Sequence, residues 1–233
     1  MTILAFDTAT QILNIALMHD KKFYEVNHTL GLTHSEYLLP SIDHLLHLAD
    51  LSFSDIDLIV CTRGPGSFTG LRIGMATAKG LSAGSTKPVV SIPTLEIYAR
   101  DCHSSQALVV PVIDARKRRY YASVYQQGKS ISGDLDIASY DLLETYCSHT
   151  TVILTGPDAH KFYDEIHDSH SALLTDNAII LEIDPSYSRG HGRSLIEIGI
   201  AQFSSCGQDA AEQGPIYLRK SEAELSREQH KRH

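Results

Sequence analysis

Asp7 and Asp114 each stand where a short apolar run gives way to a polar turn. Residues 3–6 lead into Asp7-Thr8-Ala9-Thr10, and residues 108–113 into Asp114-Ala115-Arg116. Two such carboxylates can face one another across a cleft, or they can simply cap their own turns. A third segment, Cys61-Thr62-Arg63-Gly64-Pro65-Gly66-Ser67-Phe68-Thr69-Gly70-Leu71-Arg72-Ile73-Gly74, is rich in glycine. A strand that feeds a glycine loop and opens a helix can hold an anion, because backbone N–H groups converge and the helix dipole favours negative charge. The spacing is not that of a P-loop, since no Gly-Lys-Ser/Thr follows. It is not G-x-G-x-x-G either, since Gly70 falls one residue too late. The residues that would touch such a ligand are Asp7, Thr8, Thr10, Gly64, Gly66, Ser67 and Asp114.

Other chemistries find less support. The thirteen histidines include no His-x-x-x-His pair. His44 and His47 come closest, three apart on one expected helix, with no third ligand evident. No Gly-x-Ser-x-Gly elbow presents a nucleophile. Cys61, Cys102, Cys147 and Cys206 are scattered, with no C-x-x-C, as expected of reduced thiols in a cytosolic protein. The start of the chain has no basic region like that of a signal peptide, and no apolar run is long enough to span a bilayer. The formal net charge of −8 argues against tight autonomous nucleic-acid binding. The clearest basic cluster, Arg116-Lys117-Arg118-Arg119, reads first as an exposed turn between strands.

The elements that must position these residues follow from periodicity. At 233 residues and 42% hydrophobic composition, the chain can bury a substantial core. Strands are predicted at 3–6, 12–18 and 23–27. A helix follows at 33–50, with Thr33 as N-cap and Glu36 completing a capping box. Next come a strand at 57–62, a helix at 68–84, a strand at 89–92 and a helix at 93–101. The second half repeats this grammar: strands at 108–113, 120–126 and 129–137, a helix at 141–147, a strand at 151–154 and a late helix at 193–206. The pattern implies an internal duplication. It predicts one lobe over 1–104, a second over 105–220 whose C-terminal segment can return to the first, a boundary near 102–106, and a frayed tail at 221–233.

The helix at 68–84 is unusual. At about 100° per residue, Gly70, Gly74 and Ala78 form one small-residue stripe, and Ala76, Gly80, Ala83 and Gly84 form another on the opposite side. A narrow strip with Arg72, Met75 and Lys79 is left for water or a partner. Each interior glycine costs about 1 kcal/mol relative to alanine, so close packing on both stripes is expected, against the sheet on one side and the 33–50 helix or another subunit on the other. His34, at a helix start, suits a capping or partner contact better than a metal.

With these residues in view, the run 63–74 resembles the hallmark of the TsaB (YeaZ) family. The opening 3–10, the His34…Leu39-Pro40 helix, Ile113-Asp114-Ala115-Arg116 and Pro215-Ile216-Tyr217-Leu218-Arg219 agree with it in order along the chain. The resemblance implies a two-lobed α/β fold of the actin/Hsp70/sugar-kinase (ASKHA) type. It implies a cytoplasmic, non-catalytic accessory subunit for threonylcarbamoyladenosine formation at position 37 of tRNAs reading ANN codons. It also implies pairing with a catalytic TsaD paralogue, help in recruiting the TsaE ATPase, and tRNA engaged through the complex. The first-lobe helices would form the contact, through His34, Tyr37, Leu38, Ser41, Leu45, Arg72, Met75 and Lys79. The chain would form a homodimer when alone. No firm cofactor is expected, with ATP or ADP conceivable at the subunit junction. Neither strand turn keeps Asp-x-Gly, and Arg116 is bulky where glycine would admit a phosphate. That departure counts against the rival reading, a self-sufficient ATPase or kinase of the superfamily. The lack of a metal motif counts against a third, a metallopeptidase.

Overall fold

A computed structural model describes residues 1–29, 33–102, 106–187 and 189–219. The boundary expected at 102–106 falls largely outside these residues, and the expected tail at 221–233 falls wholly outside them.

The first lobe opens with β1 (Thr2–Asp7), β2 (Ile12–His19) and β3 (Lys22–Thr29), then α1 (His34–Leu48) and a 3-10 turn at Phe53–Asp55. It continues with β4 (Leu58–Gly64), α2 (Phe68–Ser85), β5 (Val89–Pro93) and α3 (Thr94–Asp101). The second lobe holds β6 (Leu108–Asp114), β7 (Tyr120–Ala122), β8 (Tyr125–Gln126), β9 (Lys129–Ser130) and β10 (Leu135–Ile137). After α4 (Ser139–Tyr146) come β11 (Thr151–Thr155), α5 (Ala159–Ser169), α6 (Ser171–Asp176), β12 (Ile180–Ile183) and α7 (Gly192–Cys206).

The two sheets have the same wiring. The first runs β3-β2-β1-β4-β5 and the second β10-β7-β6-β11-β12, to which the short β8 and β9 add antiparallel off β6. In each, the first three strands pair antiparallel and the last two add in parallel. This is the duplicated, two-lobed α/β architecture of the actin/Hsp70/sugar-kinase class. The last helix of each half packs on the other lobe. Leu95 and Tyr98 of α3 cluster with Ile113 of β6, while Leu195 and Ile196 of α7 pack on Ile3, Ala5 and Val60 of the first sheet. This exchange ties the halves together, since burying each leucine or isoleucine contributes roughly 1.5–3 kcal/mol.

Several local expectations are corrected. Thr33 precedes α1 at φ −90°, ψ 29° and makes no side-chain cap bond; the Glu36 N–H donates to the Thr33 carbonyl instead (3.0 Å). A capping box needs an extended N-cap residue, which this one is not. The predicted strand at 120–126 splits into β7 and β8, and that at 129–137 into β9 and β10. Helices α5 and α6 and strand β12 occupy a stretch that the periodicity argument left without elements.

Candidate functional site

Both strand-end aspartates cap their turns. Asp7 is 6% exposed, and its Oδ1 accepts the Ala9 N–H (2.7 Å) and the Thr62 hydroxyl (2.8 Å). Its Oδ2 accepts the Tyr98 hydroxyl (3.1 Å). Burial pushes the Asp7 carboxyl above its ordinary pKa, against the pull of these three donors. Asp114 repeats the arrangement: its Oδ1 accepts the Arg116 N–H (2.8 Å), and its Oδ2 pairs with Lys161 (2.6 Å). Its own N–H donates to Asp158 (2.8 Å), whose carboxyl burial also raises. The turn-capping reading therefore describes both residues.

The glycine-rich segment is spent on close packing. The Ser67 N–H donates to the Ala9 carbonyl (2.6 Å), and Ser67 Oγ caps α2 by accepting the Gly70 N–H (3.3 Å). A Cβ on Gly66 would strike Ala9, one on Gly70 the Thr8 carbonyl, and one on Gly74 the Thr8 hydroxyl. The first small-residue stripe of α2 thus seats the β1–β2 turn. Gly64, at φ +106°, lies against the Ile216 carbonyl, where no side chain fits. These contacts correct the anion-loop expectation, because Gly64, Gly66 and Ser67 serve the protein's own backbone.

An inter-lobe cleft of about 350 Å³ remains, walled by Thr10, Gly66, Ser67, Asp114, Arg116 and Tyr217 among others. Thr10, Gly66, Ser67 and Asp114 of the expected ligand set reach it. Asp7 instead lines a separate small hollow with Asn14, Tyr98 and His191, and Thr8 is fully buried under α2. Among the described residues, no three His, Cys, Asp or Glu side chains converge as a metal site. The four cysteines are free thiols; burial pushes Cys61 and Cys147 up to about 12 and Cys102 to about 11.

A C-terminal strap closes one side of the cleft; the sequence argument allowed this segment to return to the first lobe but gave none of its contacts. Asp209 continues the edge of β5 through the Val89 carbonyl (2.8 Å), and Lys79 Nζ holds the Ala211 carbonyl (2.8 Å). The Ile216 N–H donates to Arg63 (2.6 Å), and the Tyr217 ring packs 4.5 Å from Phe68. Arg219 then crosses to the second lobe and grips Asp136 with two nitrogens (2.8 and 2.9 Å), beside Arg119 (2.7 Å). Burial alone would raise the Asp136 carboxyl, but the hydrogen bonds from Arg219 and Arg119 outweigh it and hold the group below the usual range. A depressed carboxylate contributes stability that is present above about pH 4, its unfolded value, and is lost as pH falls through the folded value. We expect Asp136→Asn to lower the urea midpoint at neutral pH, with the gap to wild type closing in acid. A gap that widened below pH 4 would contradict the clamp.

The partner-contact residues divide. His34 is 1% exposed, and its Nε2 donates to the Thr10 carbonyl (2.7 Å); Ser41 bonds His28 (2.8 Å). Leu38, Leu45 and Met75 belong to the core beneath α1 and α2. These five point inward and cannot meet a partner in this conformation, a correction to the expected set. Tyr37 is exposed and packs on His28, and Arg72 is exposed over the Phe68 ring with a bond to Tyr217 (3.3 Å). Lys79 is half-buried under the strap. The second α2 stripe, expected to be covered, is open: Ala76, Gly80, Ala83 and Gly84 are exposed, and a Cβ on Gly80 or Gly84 would meet nothing within 4 Å. Leu39 (53%) and Leu48 (60%) are exposed on α1.

Residues 29–163 match the family model described as TsaD, tRNA N6-adenosine threonylcarbamoyltransferase. The chain is also 31% identical over 216 residues to the tRNA threonylcarbamoyladenosine biosynthesis protein TsaB of Haemophilus influenzae, covering 85% of this chain and 91% of that protein. The chain belongs to the TsaB family. The Bacillus subtilis protein of the same name is 37% identical over 127 residues, 54% of this chain and 56% of that one. In three dimensions the fold matches YeaZ from Pseudomonas aeruginosa with a TM-score of 0.74 at 24% identity, over 93% of this chain and 99% of that one. This likeness supports the two-lobed family fold described above. Among the described residues, no helix is long and apolar enough to cross a membrane.

Proposed function

We propose that this chain is a cytoplasmic, non-catalytic accessory subunit in the formation of threonylcarbamoyladenosine at position 37 of tRNA, pairing with a TsaD-type catalytic subunit. The family supports the pathway. The observation that carries the pairing is the open small-residue face of α2 beside α1. Glycines at Gly80 and Gly84 weaken a helix, and no intramolecular contact in the described structure offsets that cost. A helix from a second subunit, approaching closely over Ala76, Gly80 and Ala83, would offset it. The TsaD partner has the same two-lobed fold by family resemblance, so a pseudo-symmetric pairing through equivalent helices is the natural geometry. The same face accounts for a homodimer when the partner is absent, and the joined helices give the ATPase and tRNA a composite surface.

The residues present do not by themselves build a triphosphate cradle, because Asp7, Asp114 and the glycine loop are engaged with their own backbone. We therefore assign any nucleotide to the subunit junction, where the partner's groups would complete a site; Thr10, Gly66 and Ser67 belong to this chain's own inter-lobe cleft. The test is to mix the chain with the TsaD-type paralogue of the same cell, measure mass by light scattering, and assay tRNA threonylcarbamoylation with the ATPase and donor present. We expect a one-to-one complex, activity only with both proteins, and none from this chain alone. Turnover by this chain alone, or no complex, would overturn the reading.

A further inference from the structure

The turn joining β6 to β7 is built in an unusual way. Arg116, Lys117 and Arg118 all adopt left-handed backbone conformations, with φ of 63°, 56° and 56°. Each such residue with a side chain is disfavoured relative to glycine, which adopts this region freely. Other residues with side chains, such as Asp20, Lys21, Asp50 and Thr86, also adopt positive φ, but among the described residues no other run of three consecutive residues does so. Here three consecutive long cations occupy it, and mutual repulsion adds to the cost.

The turn is nevertheless rigid. The Ala115 N–H donates to the Arg119 carbonyl (2.9 Å), the Arg119 N–H to the Arg116 carbonyl (3.2 Å), and Arg219 holds the Ala115 carbonyl (3.2 Å). Arg119, the fourth cation of the run, turns inward to Asp136, while residues 116–118 are exposed. The Arg116 and Arg118 guanidiniums form no hydrogen bond or ion pair with other described residues. The nearby acids are already answered: Asp114 by Lys161, and Asp136 by Arg119 and Arg219. In a chain of net charge −8, this leaves the Arg116 and Arg118 guanidiniums exposed without a counter-charge among the described residues, with Arg116 on the wall of the inter-lobe cleft.

We infer that this turn is a docking point for the phosphate backbone of the tRNA substrate, with Arg116 and Arg118 each contacting a phosphate. Arginine suits phosphate oxygens through its planar fork, and a backbone already tied by hydrogen bonds spares the cost of ordering the turn itself. The contact is sequence-independent and contributes positioning rather than base readout. One such turn does not make an acidic chain bind tRNA tightly alone. It serves as one contact of a larger assembly, and the inference rests on the tRNA-modification reading above.

The experiment measures tRNA binding by the complex of this chain with the TsaD-type subunit across a salt series. Arg116→Gln with Arg118→Gln should reduce affinity roughly tenfold at low salt and lower the salt slope by about one unit for each lost phosphate contact. Subunit pairing should be unchanged, and Lys21→Gln with Lys22→Gln on the opposite lobe should have no effect. Arg116→Gly with Arg118→Gly should raise the melting temperature by relieving the backbone while still losing tRNA affinity. A turn with only a structural role would show the first effect without the second. Unchanged affinity and slope would overturn the inference while leaving the accessory-subunit reading intact. Loss of subunit pairing with tRNA binding retained would overturn it by assigning the turn to a protein partner. If the two subunits do not pair, the accessory reading fails. The same titration on the chain alone then decides the inference, and equal binding by wild type and variant, including none by either, overturns it.

Discussion

Gly74→Leu is expected to destabilise the fold by about 3 kcal/mol, whereas Gly80→Leu on the same helix should leave it unchanged or more stable by up to about 1 kcal/mol. The two glycines lie only six positions apart, but their surroundings are opposite. At Gly74 a Cβ would meet the Thr8 hydroxyl on the β1–β2 turn, itself fully buried. The turn cannot retreat, because the Asp7 and Ala9 bonds fix it from below and the Ser67 N–H from above. At Gly80 the Cβ points into open space. Leucine there removes a helix-weakening residue but fills the approach to the proposed partner. Chemical denaturation with light scattering on mixtures with the TsaD-type subunit separates the two effects. Gly74→Leu should fail in both; Gly80→Leu should keep stability and lose pairing. A Gly80→Leu protein that pairs normally would show that the open stripe is not the interface.

Asp7→Ala should be comparably severe, at about 3–5 kcal/mol. The substitution leaves the Ala9 N–H and the Thr62 and Tyr98 hydroxyls without their acceptor, and each buried orphan donor costs about 1–3 kcal/mol. Asp7→Asn should recover part of the loss, since its carbonyl oxygen still accepts. A ligand-binding aspartate would behave differently: its removal would abolish binding with little change in stability. Because burial raises the Asp7 pKa, its ionisation opposes folding. Its contribution therefore strengthens as pH falls through the folded value, opposite in sign to that of Asp136. A variant with wild-type stability at neutral pH would refute the turn-capping assignment.

Much of the architecture was legible in the sequence because it rests on local periodicity. The near-continuous apolar runs of β1 and β2 report strands buried on both faces, and the helical spacing in α1 reports burial of one face. The duplication emerged from the repeated order of elements alone, and the family from the run 63–74. The elements that escaped have weaker local signatures. The apolar residues of α5 that reach the core, Ala159, Phe162 and Ile166, are diluted by histidines and acids, and β12 is a four-residue edge strand.

The candidate site was legible in residue type but not in role. The sequence by itself singled out Asp7 and Asp114 at matching strand ends and the glycine segment at the start of a helix, and it showed that α2 carries two small-residue faces. Only the tertiary structure decided that the glycines admit Thr8 and Ala9 rather than a phosphate, since that depends on which backbone arrives from elsewhere in the chain. Helical periodicity likewise places Met75 on a strip with Arg72 and Lys79, but not which part of that strip the sheet buries and which the strap crosses. The strap itself has no periodicity to read, because its contacts are single long-range bonds from Asp209 to Arg219. A helix wheel gives the angle between faces. What lies against each face is fixed by residues distant in sequence, and for the open face of α2 it is supplied by no described part of this chain.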